Sequence, residues 1–435
     1  MTIGSETDRI DQATVQASRR ALVAGCVGNL VEWYDFALYG AFATIISVTF
    51  FPGGDSRARL LATFTVFAMA FVARPVGALL FANWGDRRGR QRALAAGILL
   101  MGAVTAGIGL LPGYKAIGWA APVLLVALRA GQGLAVGGEY GGSAAFVVEY
   151  APPDRRGGYG GWHWATIGLG LAAGIAVAAL ASAVLPLPAL RAWGWRLPFL
   201  LGLPMALVGL YIRTRLEETP GFLAVQRVHD AARTPLRDTL RTARRPIVIG
   251  FGIVAAATVN FNIFYVFLPS HLATSGRAPL PRALPGALAG LLVAAVVAPI
   301  AGRVSDRAGR RPVLLAGAGV LLLVTMPAFW LIQQGAIGGL LLGYAVIGLV
   351  LGVAAPSSFL AELFPTRLRY SGLSLTFGLA SALFGGTAPA LATVLTGSAS
   401  NATPAAWYAT AVTAVAVVCL LAAPETAHRA LDDSR

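Results

Sequence analysis

Apolar residues fall along this chain in long blocks, separated by short polar breaks that are mostly basic. The blocks run roughly 18 to 30 residues, enough to cross about 30 Å of hydrocarbon at ~1.5 Å per helical residue. The expected spans are 21–50, 60–83, 93–111, 121–149, 158–185, 195–213, 246–270, 283–302, 312–331, 338–363, 370–396 and 404–423. Twelve helices of this length predict an all-α, polytopic membrane protein. The first twenty residues are polar and charged, with no cleavable leader in view, so the first apolar block is expected to be a retained helix.

Composition agrees with the pattern. A mean hydropathy of +0.70, with 57% hydrophobic and only 12% charged residues, lies outside the range of a soluble chain of 435 residues. The formal charge of +15 at first suggests a nucleic-acid partner, but its distribution excludes one. Placed with the N-terminus inside, the cytoplasmic segments hold 25 of the 34 Lys and Arg, counting Arg213 at the inner end of the sixth span. That asymmetry is the positive-inside bias of an inner-membrane protein with both termini cytoplasmic. Cys26 and Cys419 both lie in apolar blocks, so no disulfide framework is expected.

The chain repeats itself. "WGDRRGRQR" (84–92) follows the second span and "VSDRAGRRP" (304–312) follows the eighth. "EYAPPDRR" (149–156) after the fourth and "ELFPTRLR" (362–369) after the tenth share the form E-x-x-P-x-x-x-R. Two matches in the same order at near-equal offset predict two pseudo-symmetric six-helix bundles, 21–213 and 245–423. Segments 1–20 and 424–435 are then cytoplasmic ends, and 214–244 a cytoplasmic linker. Within the linker, "TPLRDTLRTARR" (234–245) reads either as a short helix on anionic headgroups, capped by Thr234, or as a solvated tether.

Several charges lie inside the spans. Counted from the cytoplasmic ends, Glu32, Arg74 and Glu139 sit within about 3 Å of one depth, and Asp35 is one turn deeper. An unpaired charge there costs at least ~2.5–3.5 kcal/mol, so these groups should pair and face a cavity. Glu32 and Asp35 are i, i+3 and share a face with Gly28, Asn29, Phe36 and Tyr39. The expectation is that Arg74 holds one acid ionised while the other takes and releases a proton, with Asp35 the favoured carrier. The alternative is a permanent structural ion-pair cluster. Arg129, with Gln132 a turn on, is a candidate for coupling or solute contact, or else bonds internally to backbone carbonyls. Asn260 and Asn262 in the seventh span line a cavity or bond between helices, and His163 is expected at the interface with headgroups. Trp33, Tyr34, Phe36 and Tyr39 offer either a cation–π cradle for a quaternary ammonium or ordinary packing. The glycine series 133, 137, 141 allows close helix approach.

G-x-x-x-D-R-x-G-R-R, present as Gly302 to Arg311 and imperfectly from Ala82, resembles the loop motif of the major facilitator superfamily. Its glycine is expected to turn the chain between helix ends. The resemblance implies that Asp86 faces the start of the eleventh span and Arg90 pairs with Glu149, mirrored by Asp306, Arg310 and Glu362. "GNLVEWYDFALYG" (28–40), "RPVGALLFANWGDRRGR" (74–90), "GQGLAVGGEYGG" (131–142), "WGWRLPF" (193–199), "LEETPGF" (216–222) and "ELFPTRLRYSG" (362–372) are similar to the metabolite:proton symporter family. Membership implies a functional monomer in the bilayer that couples a small solute, bearing a carboxylate or a zwitterionic osmolyte, to a proton. Rival readings are a non-transporting sensor, or a facilitator or exporter on the same fold. An enzyme is not expected. The four histidines (163, 229, 271, 428) lack metal-ligand spacing, and no G-x-S-x-G or phosphate loop occurs, so no metal or cofactor is expected.

Overall fold

The computed structural model describes residues 22–23, 25–88, 90–214, 242–397, 402–429 and 431, with side chains described for all of these but 82–94, 212–214 and 367. The expected linker helix therefore lies mostly outside the described residues. Every span is helical, because inside a bilayer the backbone must satisfy its own N–H and C=O groups. Twelve helices cross in succession. Ten are long and apolar enough to span, Ala95–Leu110 is a shorter apolar stretch within the third, and helix 25–50 breaks at Phe42.

The breaks in the other helices fall where the chemistry is. The second helix runs Ser56–Val72 and Arg74–Arg88, so Arg74 opens its second segment. The fourth runs Ala120–Val136 and Glu139–Glu149, interrupted at Gly137 and Gly138. The seventh holds a π-turn, Ile263–Phe267, between Arg244–Asn262 and Leu268–Thr274. The eleventh helix also holds a π-turn, Ser381–Gly385. The sixth starts at Leu187, earlier than residue 195, with a short helix Leu187–Ala189 and a π-turn Leu190–Gly194 leading into Arg196–Leu200.

Lipid and protein faces separate cleanly. Leu180, Val296 and Leu323 are more than half exposed and point outward, as a hydrocarbon solvent permits. Trp119, Trp193, Trp330 and Trp407 are exposed near helix ends on one face of the molecule, opposite Asp306 and Glu149, and form an interfacial aromatic belt.

The two sets of six helices meet chiefly where the fifth, Arg156–Val184, lies along the eighth, Leu280–Ala308. Glycine permits this approach. A Cβ on Gly302 would collide with the carbonyl of Gly157, and one on Gly161 with that of Ala298. Gly302 therefore does not turn the chain, as the motif suggested, but sits within the eighth helix as a contact point. The turn belongs to Gly309, at φ +97°, a conformation that side chains with a Cβ rarely adopt.

Candidate functional site

On the Asp306 face, a ring of ion pairs and helix caps joins the halves. The Asp306 carboxylate accepts from Gly157 N at 2.7 Å and Gly158 N at 3.0 Å, placing negative charge on the N-terminus of the 29-residue fifth helix. Arg310 donates to Asp306 at 2.8 Å and to both Glu362 oxygens at 3.1 and 3.2 Å, a bidentate pairing. Thr426 donates to Glu362 at 2.7 Å. The next residue back, Glu425, accepts from the N–H groups of Arg310 at 2.8 Å and Arg311 at 3.1 Å. Burial alone would raise the Glu425 pKa, but bonds from the Ala427, Arg310, Arg311 and Thr426 backbones outweigh it and hold the group below the usual carboxylate value.

Beside the first copy of the motif stands a partner that was not among those expected. Glu149 pairs with Arg369 of the second half at 2.8 Å. Arg369 also donates to Ala361 O at 2.9 Å and Leu431 O at 3.2 Å. The side chains of Asp86 and Arg90, expected at this place, lie outside the described residues. Arg369 was legible in outline, since it is the final Arg of the repeated E-x-x-P-x-x-x-R. Arg156, its counterpart, donates to Arg429 O at 2.9 Å.

Deeper in, two ion pairs stand out among the buried charges. Glu32 and Arg74 pair at 2.6 Å, both almost fully buried. Asp35 is not left free. It meets Arg129 at 3.3 Å and accepts from Gln132 Nε2 at 2.6 Å. Gln132 completes a bridge, taking Arg129 at 2.6 Å through Oε1 and donating to Thr105 at 3.0 Å. The reason is register: Asp35 is one turn deeper than Glu32, level with Arg129 and out of reach of Arg74. Glu139 is buried at the start of the second segment of the fourth helix. Nε and Nη1 of Arg74, and Nε and Nη2 of Arg129, have no hydrogen-bond partner among the described residues.

The aromatic face of the first helix holds the protein's own cations. The Arg74 guanidinium lies 4.8 Å from the Phe36 ring, 4.7 Å from Phe71 and 5.6 Å from Trp33. That of Arg129 lies 4.4 Å from Tyr39 and 5.1 Å from Phe67. Tyr39 Oη donates to Thr63 O at 3.2 Å and Tyr34 Oη to Pro198 O at 2.9 Å. Such contacts stabilise a desolvated cation by roughly 2 kcal/mol. Arg74 also approaches Phe377 of the eleventh helix at 5.9 Å, so this pair reaches the boundary between the halves.

His163 is fully buried, not interfacial with headgroups. It bonds Ser143 at 2.9 Å and Ser357 of the second half at 3.2 Å. Asn29 donates to its carbonyl at 3.3 Å. Asn260 donates to Ala256 O and to Thr413 of the twelfth helix, both at 2.9 Å, which is the interhelical bond weighed for it. Asn262 donates to Thr258 O at 2.8 Å in its own helix.

Twelve spans in two repeated halves, a ring of caps and ion pairs joining them, and buried charge pairs between helices define a multi-pass membrane transporter of the major facilitator fold, not an enzyme. The sequence matches the sugar (and other) transporter family over residues 21–247 and 238–434, and the chain belongs to that family. It is 35% identical to the proline/betaine transporter of Escherichia coli (strain K12) over 95% of this chain and 85% of that protein. It is likewise 35% identical to the glycine betaine/proline/ectoine/pipecolic acid transporter of Dickeya dadantii, over 95% of this chain and 84% of that protein. In fold it is similar to the proton:xylose symporter XylE bound to a bromodeoxyglucose, with TM-score 0.77 at 18% identity over 97% of this chain and 98% of that one. The partially occluded, inward-open xylose transporter from E. coli gives 0.74 at 19% identity, over 94% and 99%.

Proposed function

We propose that this protein is a proton-coupled symporter that brings a small zwitterionic osmolyte, of the proline or glycine betaine kind, across the bacterial inner membrane. The observation that carries the reading is the Asp35–Gln132–Arg129 bridge, buried beside Glu32–Arg74. The names of relatives sharing a third of their residues over nearly the whole chain support the solute class.

The coupling follows from charge balance. With Asp35 ionised, Arg129 is neutralised. Protonating Asp35 leaves a buried guanidinium without a counter-ion, and breaking such a pair costs about 3–5 kcal/mol. A solute carboxylate arriving at the arginines offsets that cost, so proton and solute enter together. Gln132 keeps both partners hydrogen-bonded through the exchange, being neutral and bonded to each. The Asp306 and Glu149 face is the cytoplasmic one in this reading, with both termini on it. The bundles 21–213 and 245–423 rock as a monomer about the midplane, tethered by 214–244. No nucleic acid takes part.

Uptake of labelled proline and glycine betaine into proteoliposomes, with and without an inward proton gradient, tests this. Gradient-dependent accumulation of either is expected. Folded protein that accumulates neither overturns the reading.

A further inference from the structure

The first and fourth helices of the first half carry the Asp35–Arg129 pair. The corresponding helices of the second half, the seventh and tenth, carry no charge at that place. They carry Tyr265 and Tyr344, rings 5.8 Å apart and stacked at 28°. Phe261 lies one turn below Tyr265, at 5.6 Å, and Trp164 of the first half meets Phe261 at 5.8 Å. The four rings form a continuous file from one half to the other. All are at most 5% exposed.

Two further observations separate this file from ordinary packing. Tyr265 Oη, Tyr344 Oη and Trp164 Nε1 are buried with no hydrogen-bond partner among the described residues. A buried hydroxyl left unpaired costs about 1–3 kcal/mol, so native cores seldom retain two side by side. Tyr265 also lies in the π-turn Ile263–Phe267, a distortion that re-aims side chains and is frequent at functional sites. By contrast, the aromatic face of the first helix is already filled by Arg74 and Arg129.

We propose that Trp164, Phe261, Tyr265 and Tyr344 form the subsite for the cationic nitrogen of the solute. This rests on the zwitterion reading above and adds where the positive end is held. Ring faces attract an alkylated ammonium by cation–π interaction. The two phenol oxygens accept from the N–H groups of a secondary ammonium such as that of proline. A quaternary nitrogen has no N–H and depends on the rings alone. The file bridges the halves, so a bound cation draws them together.

The chemistry predicts two separable effects. Tyr265→Phe and Tyr344→Phe keep the rings and remove the acceptors, so the KM for proline should rise about tenfold while that for glycine betaine changes little. Tyr344→Leu removes a ring, so both should weaken, glycine betaine by roughly tenfold or more. A second probe is 3,3-dimethylbutyrate, the uncharged-carbon isostere of glycine betaine, used as a competitor of uptake. Wild-type protein should prefer glycine betaine strongly, and Tyr344→Leu should lose most of that preference. Matched helical circular dichroism and melting temperature in detergent would show that the variants are folded. An unchanged proline-to-betaine KM ratio in the Phe variants, with an unchanged preference over the isostere in Tyr344→Leu, overturns the subsite and leaves the transport reading intact. Wild-type protein that takes up neither zwitterion overturns both.

Discussion

Replacing Asp35 by Asn isolates the coupling step. The amide is nearly isosteric and still accepts from Gln132 Nε2, which lies 2.6 Å from Oδ2. What it removes is the counter-ion of Arg129, a guanidinium with no solvent exposure. Breaking a buried pair costs about 3–5 kcal/mol, and the cation–π contacts to Tyr39, Phe36 and Phe67, present before and after the substitution, keep the guanidinium in place without changing that difference. The variant should fold, melting a few degrees lower. Transport should change in kind. Each pH unit across the membrane is worth 1.36 kcal/mol per proton, so one coupled proton supports about tenfold accumulation from a one-unit gradient. Asp35→Asn mimics the protonated state permanently and should accumulate nothing above equilibrium under the same gradient. Counterflow, in which labelled solute exchanges without net proton movement, should persist. The measurement is paired uptake and counterflow in one proteoliposome preparation. If Asp35→Asn still accumulates solute about tenfold under the gradient, the exchange of proton for counter-ion is wrong.

Three further outcomes test the rest of the architecture. Arg369→Gln breaks the cross-half pair with Glu149 at 2.8 Å; at about 1–2 kcal/mol, the open population of that face should grow fivefold to thirtyfold. A Ser357→Cys reporter in a background lacking Cys26 and Cys419 should then react faster with a membrane-impermeant thiol reagent, and an unchanged rate counts against the gate. Gly137→Ala should destabilise by about 1–3 kcal/mol, because its Cβ would collide with the Arg74 carbonyl, whereas Gly319→Ala meets nothing and should be neutral or stabilising; equal melting shifts would refute the packing argument. Glu425 is held below its ordinary value of 4.5 in the folded state, so its contribution is complete above that value and lost as pH falls through the lower folded one. Glu425→Gln should flatten the acid side of the melting profile, and an unchanged slope would show that the capping contributes nothing.

What could be read from the sequence was whatever repeats or is periodic. The apolar blocks gave twelve helices because the backbone must be satisfied within lipid and blocks of roughly 18 to 30 residues fit a helix rather than a barrel strand. The doubled motifs gave two halves, and the Asp306, Arg310 and Glu362 set was what the resemblance to the major facilitator motif implied. Partners across the chain were less legible. Counting residues puts Glu32 and Arg74 at one depth but cannot give helix rotation, and so could not assign Arg129 to Asp35. His163 read as interfacial because it stands between Trp162 and Trp164 near a helix end. The fifth helix in fact lies along the eighth and takes that stretch into the contact between halves, where Ser357 receives it. Gly302 read as a turn because glycine is common in turns. Its use here, a backbone contact with Gly157, depends on a neighbour 145 positions away in the chain.

The divergence of the halves follows a physical logic. The repeated E-x-x-P-x-x-x-R segments both contribute to the ring between the halves: Asp306 caps the fifth helix and Arg310 bridges to Glu362, while Glu149 of the first copy pairs with Arg369 of the second. The centre cannot recur in that way. Two copies of a proton-titrating pair would double the desolvation cost and let each half switch on its own charge. In the proposed reading, charge in the first half and neutral aromatic surface in the second divide the work, so that the carboxylate end of a zwitterion answers the arginines and the cationic end answers the tyrosines. Neither half then holds the solute alone. Closure requires both, and a proton without solute leaves Arg129 unneutralised, which is the condition that keeps a symporter from leaking protons.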